Sequence, residues 1–529
     1  MNKIIILILS LLGLVCVFGQ NVVPYPQQIT LTNNCYVSVS PGSISISPSI
    51  QSTTFNIAVE RYLNLFFPFT NTSSTSDKIT LSVSINSDDE TLQLGIDESY
   101  TLNIAQGSLE LKSNTIYGAM RGLETFKQMI VYDVTSNTYS IQCAQIVDYP
   151  RYPWRGIMVD SARHFITKNF ILHIIDALGY NKFNTMHWHL VDAQSFAVES
   201  TTYPDLTQAA FGPKAVFSHD DIQEVVAYAK TYGIRVIPEF DIPGHAAAWG
   251  VGYPELTCTC PDYAANINNI PLDISNPNTL TFLQNFFSEI APLFPDQHFH
   301  TGGDELVTGC WNEDQNMVSW MEKMGFSTTD AFQYFENNLD VTMKVINRTK
   351  MTWNDPIDYG VQLSPDTVVQ VWSSGADLQG ILNSGYKSIV SFAWYLDKQV
   401  PDGNTHYEWQ DTWQDFYNAD PVNGITSNAQ NIIGGEAAMF AEQVSEVNWD
   451  VRVWPRAIGV AERLWSSQGT NSVTSALPRI GAFSCDMSRR GIQSGPLFTD
   501  YCPLPEDLAF TLKPTMKLSK SEIKQILNN

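Results

Sequence analysis

From Arg155 onward the chain alternates between short apolar runs that end in polar residues and longer runs with helical spacing. Eight of the apolar runs read as strands: Gly156–Asp160, Thr185–Val191, Arg235–Phe240, Gln297–Thr301, Lys350–Trp353, Thr367–Trp372, Ser388–Trp394 and Asn431–Glu436. Helices are expected between them over Lys168–Leu178, Asp220–Tyr232, Leu280–Leu293, Ala331–Ile346 and Ala376–Asn383, and after them over Arg452–Trp465 and Leu477–Gly491. Ser218 with Asp221, and Ser327 with Asp330, have capping-box spacing at two helix starts. Strands that alternate with helices pair in parallel, and eight such units imply an α/β fold, a (β/α)8 TIM barrel with its chemistry at the C-terminal strand ends. A doubly wound open sheet competes, but no glycine-rich phosphate-binding turn supports it.

Residues 20–147 have a different texture: short alternating runs such as Lys78–Ile85 and Tyr100–Ile104, and one helical run, Ile116–Ile130. They read as a small α+β domain ahead of the barrel. A proline-bearing linker, Asp148–Trp154, opens the catalytic segment 148–510, and residues 511–529 read as a polar, unpacked tail. Before all of this, Met1-Asn2-Lys3 and an apolar run from Ile4 to Phe18 have the form of a signal peptide, residues 1–19, cleaved near Gly19. No other segment approaches the ~20 apolar residues of a membrane span, so no membrane anchor is expected. With 44% hydrophobic and 16% charged residues the chain is globular, and a net charge of −24 argues against nucleic acid or anionic lipid as a partner. That charge is spread along the chain, as on a solvated surface or a protein adapted to an acidic compartment. Removing the leader leaves an odd set of cysteines, which in an oxidising compartment form disulfides and leave one thiol. Asn71 and Asn347 open N-glycosylation sequons.

The strand ends carry a consistent chemistry. In chain order they deliver Asp160 and Arg163, then His187, His189 and Asp192, then Glu239, Asp241 and His245. Asp304 and Glu305 follow, after the glycines of His298-Phe-His-Thr-Gly-Gly303. Next come Trp353, Asn354 and Asp355, then Trp372, then Trp394, Tyr395 and Asp397, and last Glu436, Phe440 and Glu442. A lone carboxylate at such a place is often a helix cap, and a lone tryptophan is often core. Together they suggest a carbohydrate pocket, in which aromatic faces pack on sugar C–H groups and carboxylates hold hydroxyls. His187 and His189, with Asp192, His245 and Asp304, also have the composition of a metal site. Buried hydrogen-bonded histidines are the favoured alternative, and neither metal nor cofactor is expected.

The runs Arg155-Gly-Ile-Met-Val-Asp-Ser-Ala-Arg163, His187-Trp-His-Leu-Val-Asp192, Glu239-Phe-Asp-Ile-Pro-Gly-His245, His300-Thr-Gly-Gly-Asp-Glu305, Trp394-Tyr-Leu-Asp397 and Trp454-Pro-Arg resemble the β-N-acetylhexosaminidases of glycoside hydrolase family 20. They are especially similar to the eukaryotic lysosomal enzymes. The resemblance implies removal of terminal β-linked GlcNAc or GalNAc, with the substrate's acetamido oxygen as nucleophile. It implies that Glu305 is the general acid and then the base, and that Asp304 holds the acetamido N–H. Asp192 and His245 would form a relay to Glu305, and Tyr395 would bind the acetamido carbonyl. Trp353 and Trp372 would wall its methyl group, Arg163, Asp397 and Glu442 would bind ring hydroxyls, and Trp394 is counted with the substrate-binding aromatics. Phe440 departs from the family, which has tryptophan there. The adjacent carboxylate and partial burial are expected to raise the pKa of Glu305. The family pattern implies Cys260–Cys310 and Cys485–Cys502; Cys35–Cys143 follows by elimination, leaving Cys258 as the thiol. A homodimer located in the lysosome, or secreted, is implied. Rival readings are a retaining glycosidase with Glu436 as nucleophile, a metallohydrolase, and a non-catalytic sugar-binding module.

Overall fold

The computed structural model describes residues 21–72, 77–397, 412–499, 501–505 and 516–529. The expected leader lies outside the described residues. The barrel strands are β1 (Trp154–Asp160), β2 (Thr185–Asp192), β3 (Arg235–Phe240), β4 (His298–His300), β5 (Thr349–Trp353), β6 (Val368–Val371), β7 (Lys387–Val390) and β8 (Ile432–Met439). Each pairs in parallel with the next, and β8 closes the ring on β1. All eight expected strands are present. The seventh stops at Val390, and Trp394 and Tyr395 follow as irregular chain, with Tyr395 bridged to Ala438. The helix expected over 452–465 is two helices, Trp449–Val453 and Arg456–Trp465. Pro455, which has no N–H to donate, stands between them. Both expected capping boxes form, at Ser218 and Ser327.

The N-terminal segment forms a mixed sheet that includes Ile79–Ile85 and Tyr100–Ala105, with helices Thr53–Leu65 and Ile116–Met129. The second helix is buried on nearly every side because it lies between its own sheet and the barrel. One carboxylate locks the two bodies together. Glu98 accepts from Arg121 Nε at 2.8 Å, from Arg155 Nη2 at 2.6 Å and from Asn184 Nδ2 at 2.9 Å. The remaining Arg121 nitrogens cap the carbonyls of Phe183, Tyr232 and Gly233. These groups lie at the N-terminal ends of β1, β2 and β3, the end of the barrel remote from the strand C-termini.

Part of the expected unpacked tail is an element. Lys520–Asn528 is a helix opened by a Ser519/Glu522 capping box. Ile526 is buried with Ile57 and Ala227, Ile523 and Leu527 pack beside it, and Lys230 Nζ donates to the Ile526 carbonyl at 3.0 Å. Isoleucine and leucine at helical spacing form the apolar stripe that docks it. Disulfides join Cys35 to Cys143, Cys260 to Cys310 and Cys485 to Cys502, and Cys258 is a buried thiol. Asn71 and Asn347 are exposed. Among the described residues no helix is long and apolar enough to cross a membrane.

Glu98→Ala strands two buried guanidinium groups, so a loss of about 3–5 kcal/mol is expected. The exposed pair Lys112–Glu110 gives the contrast: Glu110→Ala should cost less than about 1 kcal/mol. Urea unfolding of the two variants checks the difference.

Candidate active site

The turn after β4 decides where the two adjacent carboxylates point. Gly302 and Gly303 have φ of 68° and 99°. A Cβ on Gly302 would stand 1.8 Å from Asp241 Oδ1, so glycine is required there. Asp241 Oδ1 also accepts from Gly303 N at 3.0 Å, pinning the turn to β3. Out of this turn Asp304 is buried, while the Glu305 side chain is 60% exposed. Glu305 itself is left-handed, with φ 47°.

A chain of charged groups reaches Glu305 from the barrel interior. Asp192 Oδ2 lies 2.6 Å from Arg163 Nη2 and 2.9 Å from His189 Nε2, and its Oδ1 lies 3.2 Å from His245 Nδ1. His245 Nε2 is 3.4 Å from Glu305 Oε2. Burial works against ionisation of Asp192, but Arg163 and His245 outweigh it and hold the carboxyl well below its usual range. Burial likewise opposes charge on His245; the Asp192 charge and hydrogen bond, with Glu305 close by, raise it well above an ordinary histidine.

The expectation of a raised Glu305 pKa is overturned. The His245 imidazole beside it holds it below the usual glutamate value, against partial burial. The raised carboxyls are its neighbours. Burial pushes Asp304 up, with His245 opposing. Asp241 is pushed well up by burial and then by the Asp304 charge. Asp355 is raised to about 7 by burial and then by Asp304. Asp304 Oδ1 has no hydrogen-bond partner among the described residues.

Beside Asp304 lies a set of rings. Tyr395 stacks on Phe440 at 5.9 Å between centroids, and Trp372 lies 6.3 Å from Tyr395. Burial and then the Asp304 charge push the Tyr395 hydroxyl up, keeping it protonated as a donor. Trp353 is 1% exposed and its indole N–H donates to Glu239 at 2.7 Å, so it supports the cluster from below. Arg163 lies under Phe440, 5.1 Å from the ring centroid, with Glu442 4.0 Å from its Nε. Asp397 is half-buried next to Tyr395 in the chain.

Trp394 does not belong to this set. It is fully buried, donates to the Phe416 carbonyl at 3.0 Å and packs on Gly435, outside the barrel wall. Glu436 is also remote from solvent: it accepts from Gln370 and Trp154 and lies 2.7 Å from His187 Nδ1. A nucleophile there would have no path to a sugar. His187, His189 and His300 are buried around Glu239, hydrogen-bonded in turn to Glu436, to Glu239 and to the Gly302 N–H. Ligand-type atoms of Asp241, His245 and Asp304 lie within 4.8 Å of one another, as do those of His187, Glu239 and His300. In the second group His187 and His300 already stand at ion-pair distance from Glu239, at 3.0 and 3.1 Å. Asp241 and Asp355 were visible at strand ends, but nothing in the sequence marked them as contacts of the Asp304–Glu305 turn.

The chain matches the model for the glycosyl hydrolase family 20 catalytic domain over residues 152–468 and a "beta-acetyl hexosaminidase like" model over residues 22–129. It is 73% identical to beta-hexosaminidase subunit A1 of Dictyostelium discoideum, over 100% of both chains. It is 35% identical to the Homo sapiens beta-hexosaminidase subunit beta, over 89% of this chain and 86% of that one. The solved chitobiase of Flavobacterium johnsoniae superposes with TM-score 0.77 at 27% identity, over 89% of this chain and 73% of that one.

Gly302→Ala should leave a folded protein with a displaced Asp304–Glu305 turn. A misplacement of this kind costs on the order of 10²-fold in turnover. Steady-state kinetics beside a thermal melt checks it.

Proposed function

The chain belongs to glycosyl hydrolase family 20, and from that premise we propose that it is an exo-acting β-N-acetylhexosaminidase whose substrate supplies its own nucleophile. It is a hydrolase of terminal, non-reducing, β-linked N-acetylhexosamine. The observation that carries the mechanism is the different surroundings of the two adjacent carboxylates. Glu305 is open to solvent and tied to His245; Asp304 is buried beside Tyr395 with one oxygen available.

In the first step the acetamido oxygen attacks the anomeric carbon as the glycosidic bond breaks. Glu305 gives its proton to the leaving oxygen. Asp304 Oδ1 accepts the acetamido N–H and offsets the positive charge that grows on the oxazolinium ring. Tyr395 donates to the acetamido oxygen, Trp372 walls the methyl group, and Phe440 underlies the sugar ring. In the second step Glu305 takes a proton from water as that water attacks the anomeric carbon and reopens the ring, so the product keeps the β configuration.

The Glu305–His245 contact supplies the proton. In the open site it rests on His245. A leaving group placed over Glu305 displaces water from the carboxylate, which favours its neutral form and draws the proton across. Arg163, Asp397 and Glu442 serve the ring hydroxyls. The substrate is a glycan bearing terminal β-GlcNAc or β-GalNAc, and the protein works as a homodimer. Three disulfides and an apolar leader fit a compartment on the secretory route, the lysosome or the exterior.

Hydrolysis of 4-nitrophenyl β-GlcNAc and β-GalNAc tests this directly. Glu305→Gln should lose about 10²–10⁴-fold in turnover, and Asp304→Asn should also be crippled. Full activity in either variant refutes the assignment. The pH profile tests the relay. The basic limb reports loss of the proton from the Glu305–His245 pair, whose His245 pKa is raised chiefly by Asp192. Asp192→Asn removes that negative charge, lowers the His245 pKa and should move the basic limb to lower pH.

A further inference from the structure

We propose that Asp355 is a positioning residue for this reaction, one carboxylate that ties the backbone of the acid Glu305 to the Trp372 wall of the acetamido pocket. The proposal rests on the function proposed above and adds a residue to it.

Asp355 follows β5 and is 9% exposed. Both of its oxygens are used, and by different arms of the site. Oδ1 accepts from the Glu305 backbone N–H at 3.0 Å, and Oδ2 accepts from the Trp372 indole N–H at 2.7 Å. Its neighbour Asn354 reinforces the second arm, accepting from the Trp372 backbone N–H at 3.0 Å while its own amide donates to Asp358 at 2.6 Å. Trp372 is therefore held at its backbone and at its ring by two consecutive residues.

Two features make this bridge more than packing. Glu305 has a φ of 47°, a left-handed conformation that a residue with a Cβ keeps only where its surroundings enforce it. The bond from its N–H to Asp355 is an anchor at that residue. Both groups facing Asp355 are N–H donors, so only a side chain with two acceptor oxygens satisfies them together. An asparagine turns an NH₂ toward one donor. A glutamate keeps both acceptors but stands one methylene longer. The bridge also spans the two reacting parties. Glu305 delivers the proton to the leaving oxygen, and the Trp372 wall locates the acetamido group that attacks from the other side of the same carbon. Two hydrogen bonds through one carboxylate fix the distance between them.

The test is leaving-group dependence. A sugar leaving group needs the proton of Glu305, whereas 2,4-dinitrophenolate leaves without one. Asp355→Asn should lower kcat/KM on N,N′-diacetylchitobiose by on the order of 10²-fold. On the 2,4-dinitrophenyl β-GlcNAc glycoside its loss should be less than about tenfold. Asp355→Glu should recover part of the chitobiose activity. Equal losses on the two substrates, within about threefold, overturn the proposal, because damage to the pocket or the fold acts on both alike. Should Asp355→Asn not fold, Asp355→Glu, which keeps both acceptors but sets them one methylene out of place, should show the same inequality in weaker form. Its absence there overturns the proposal as well. Wild type and Glu305→Gln on the same substrate pair keep the underlying function separate: a Glu305→Gln loss confined to chitobiose upholds the acid whatever Asp355 does.

Discussion

Glu239 sits fully buried at the centre of the barrel, and a buried carboxylate is tolerated only where donors or opposite charges surround it. Four side chains do so. The Trp353 indole N–H donates to it at 2.7 Å and His189 Nδ1 is hydrogen-bonded to it, while His187 Nε2 at 3.0 Å and His300 Nδ1 at 3.1 Å stand at ion-pair distance. Burial alone would keep Glu239 neutral; the three imidazoles hold it well below its usual range instead. Two arms leave this anion. One runs through His189 to Asp192, His245 and Glu305. The other runs through Trp353 to the rings of Phe440 and Tyr395. The proposed acid and sugar platform are thus braced against one charge whose own partners sit on the strands β2, β4 and β5.

The same logic separates two neighbours in sequence. Asp304 and Glu305 leave one glycine turn into different surroundings, and in the proposed mechanism environment gives each its task. Asp304 is surrounded by carboxyls that burial pushes up, with Tyr395 beside it. Glu305 faces solvent and an imidazole 3.4 Å away, which lowers its pKa as its own is raised. In the proposed mechanism the acid is armed by covering it, so proton transfer is coupled to occupancy of the subsite that holds the leaving group.

Much of this was legible from residue order. The eight strands follow from apolar runs ending in polar residues, and the carboxylates at their ends mark the site. What failed did so for local reasons. Trp394 and Tyr395 are adjacent, and successive side chains point to opposite faces. With β7 ending at Val390, the sequence could not say which of the two faced the sugar. The Glu305 pKa was misjudged because the expectation counted the adjacent carboxylate and not His245, which is 60 residues away in the chain and 3.4 Å away in space. Asp355 was one strand-end carboxylate among several, and its two partners lie across three strands. The terminal helix was missed because its stripe is short and its partners, Ile57 and Ala227, lie far back in the chain.

The central claim is that the nucleophile belongs to the substrate and that the pocket around Asp304 and Tyr395 exists to hold it. Inhibition by N-acetylglucosamine-thiazoline, a stable mimic of the oxazoline, tests this most directly. Competitive inhibition with a Ki well below the KM for 4-nitrophenyl β-GlcNAc is the predicted result, and a marked loss of that inhibition in Asp304→Asn should accompany it. An enzyme that turns over the glycoside yet ignores the thiazoline would contradict the account and return the search to a carboxylate nucleophile.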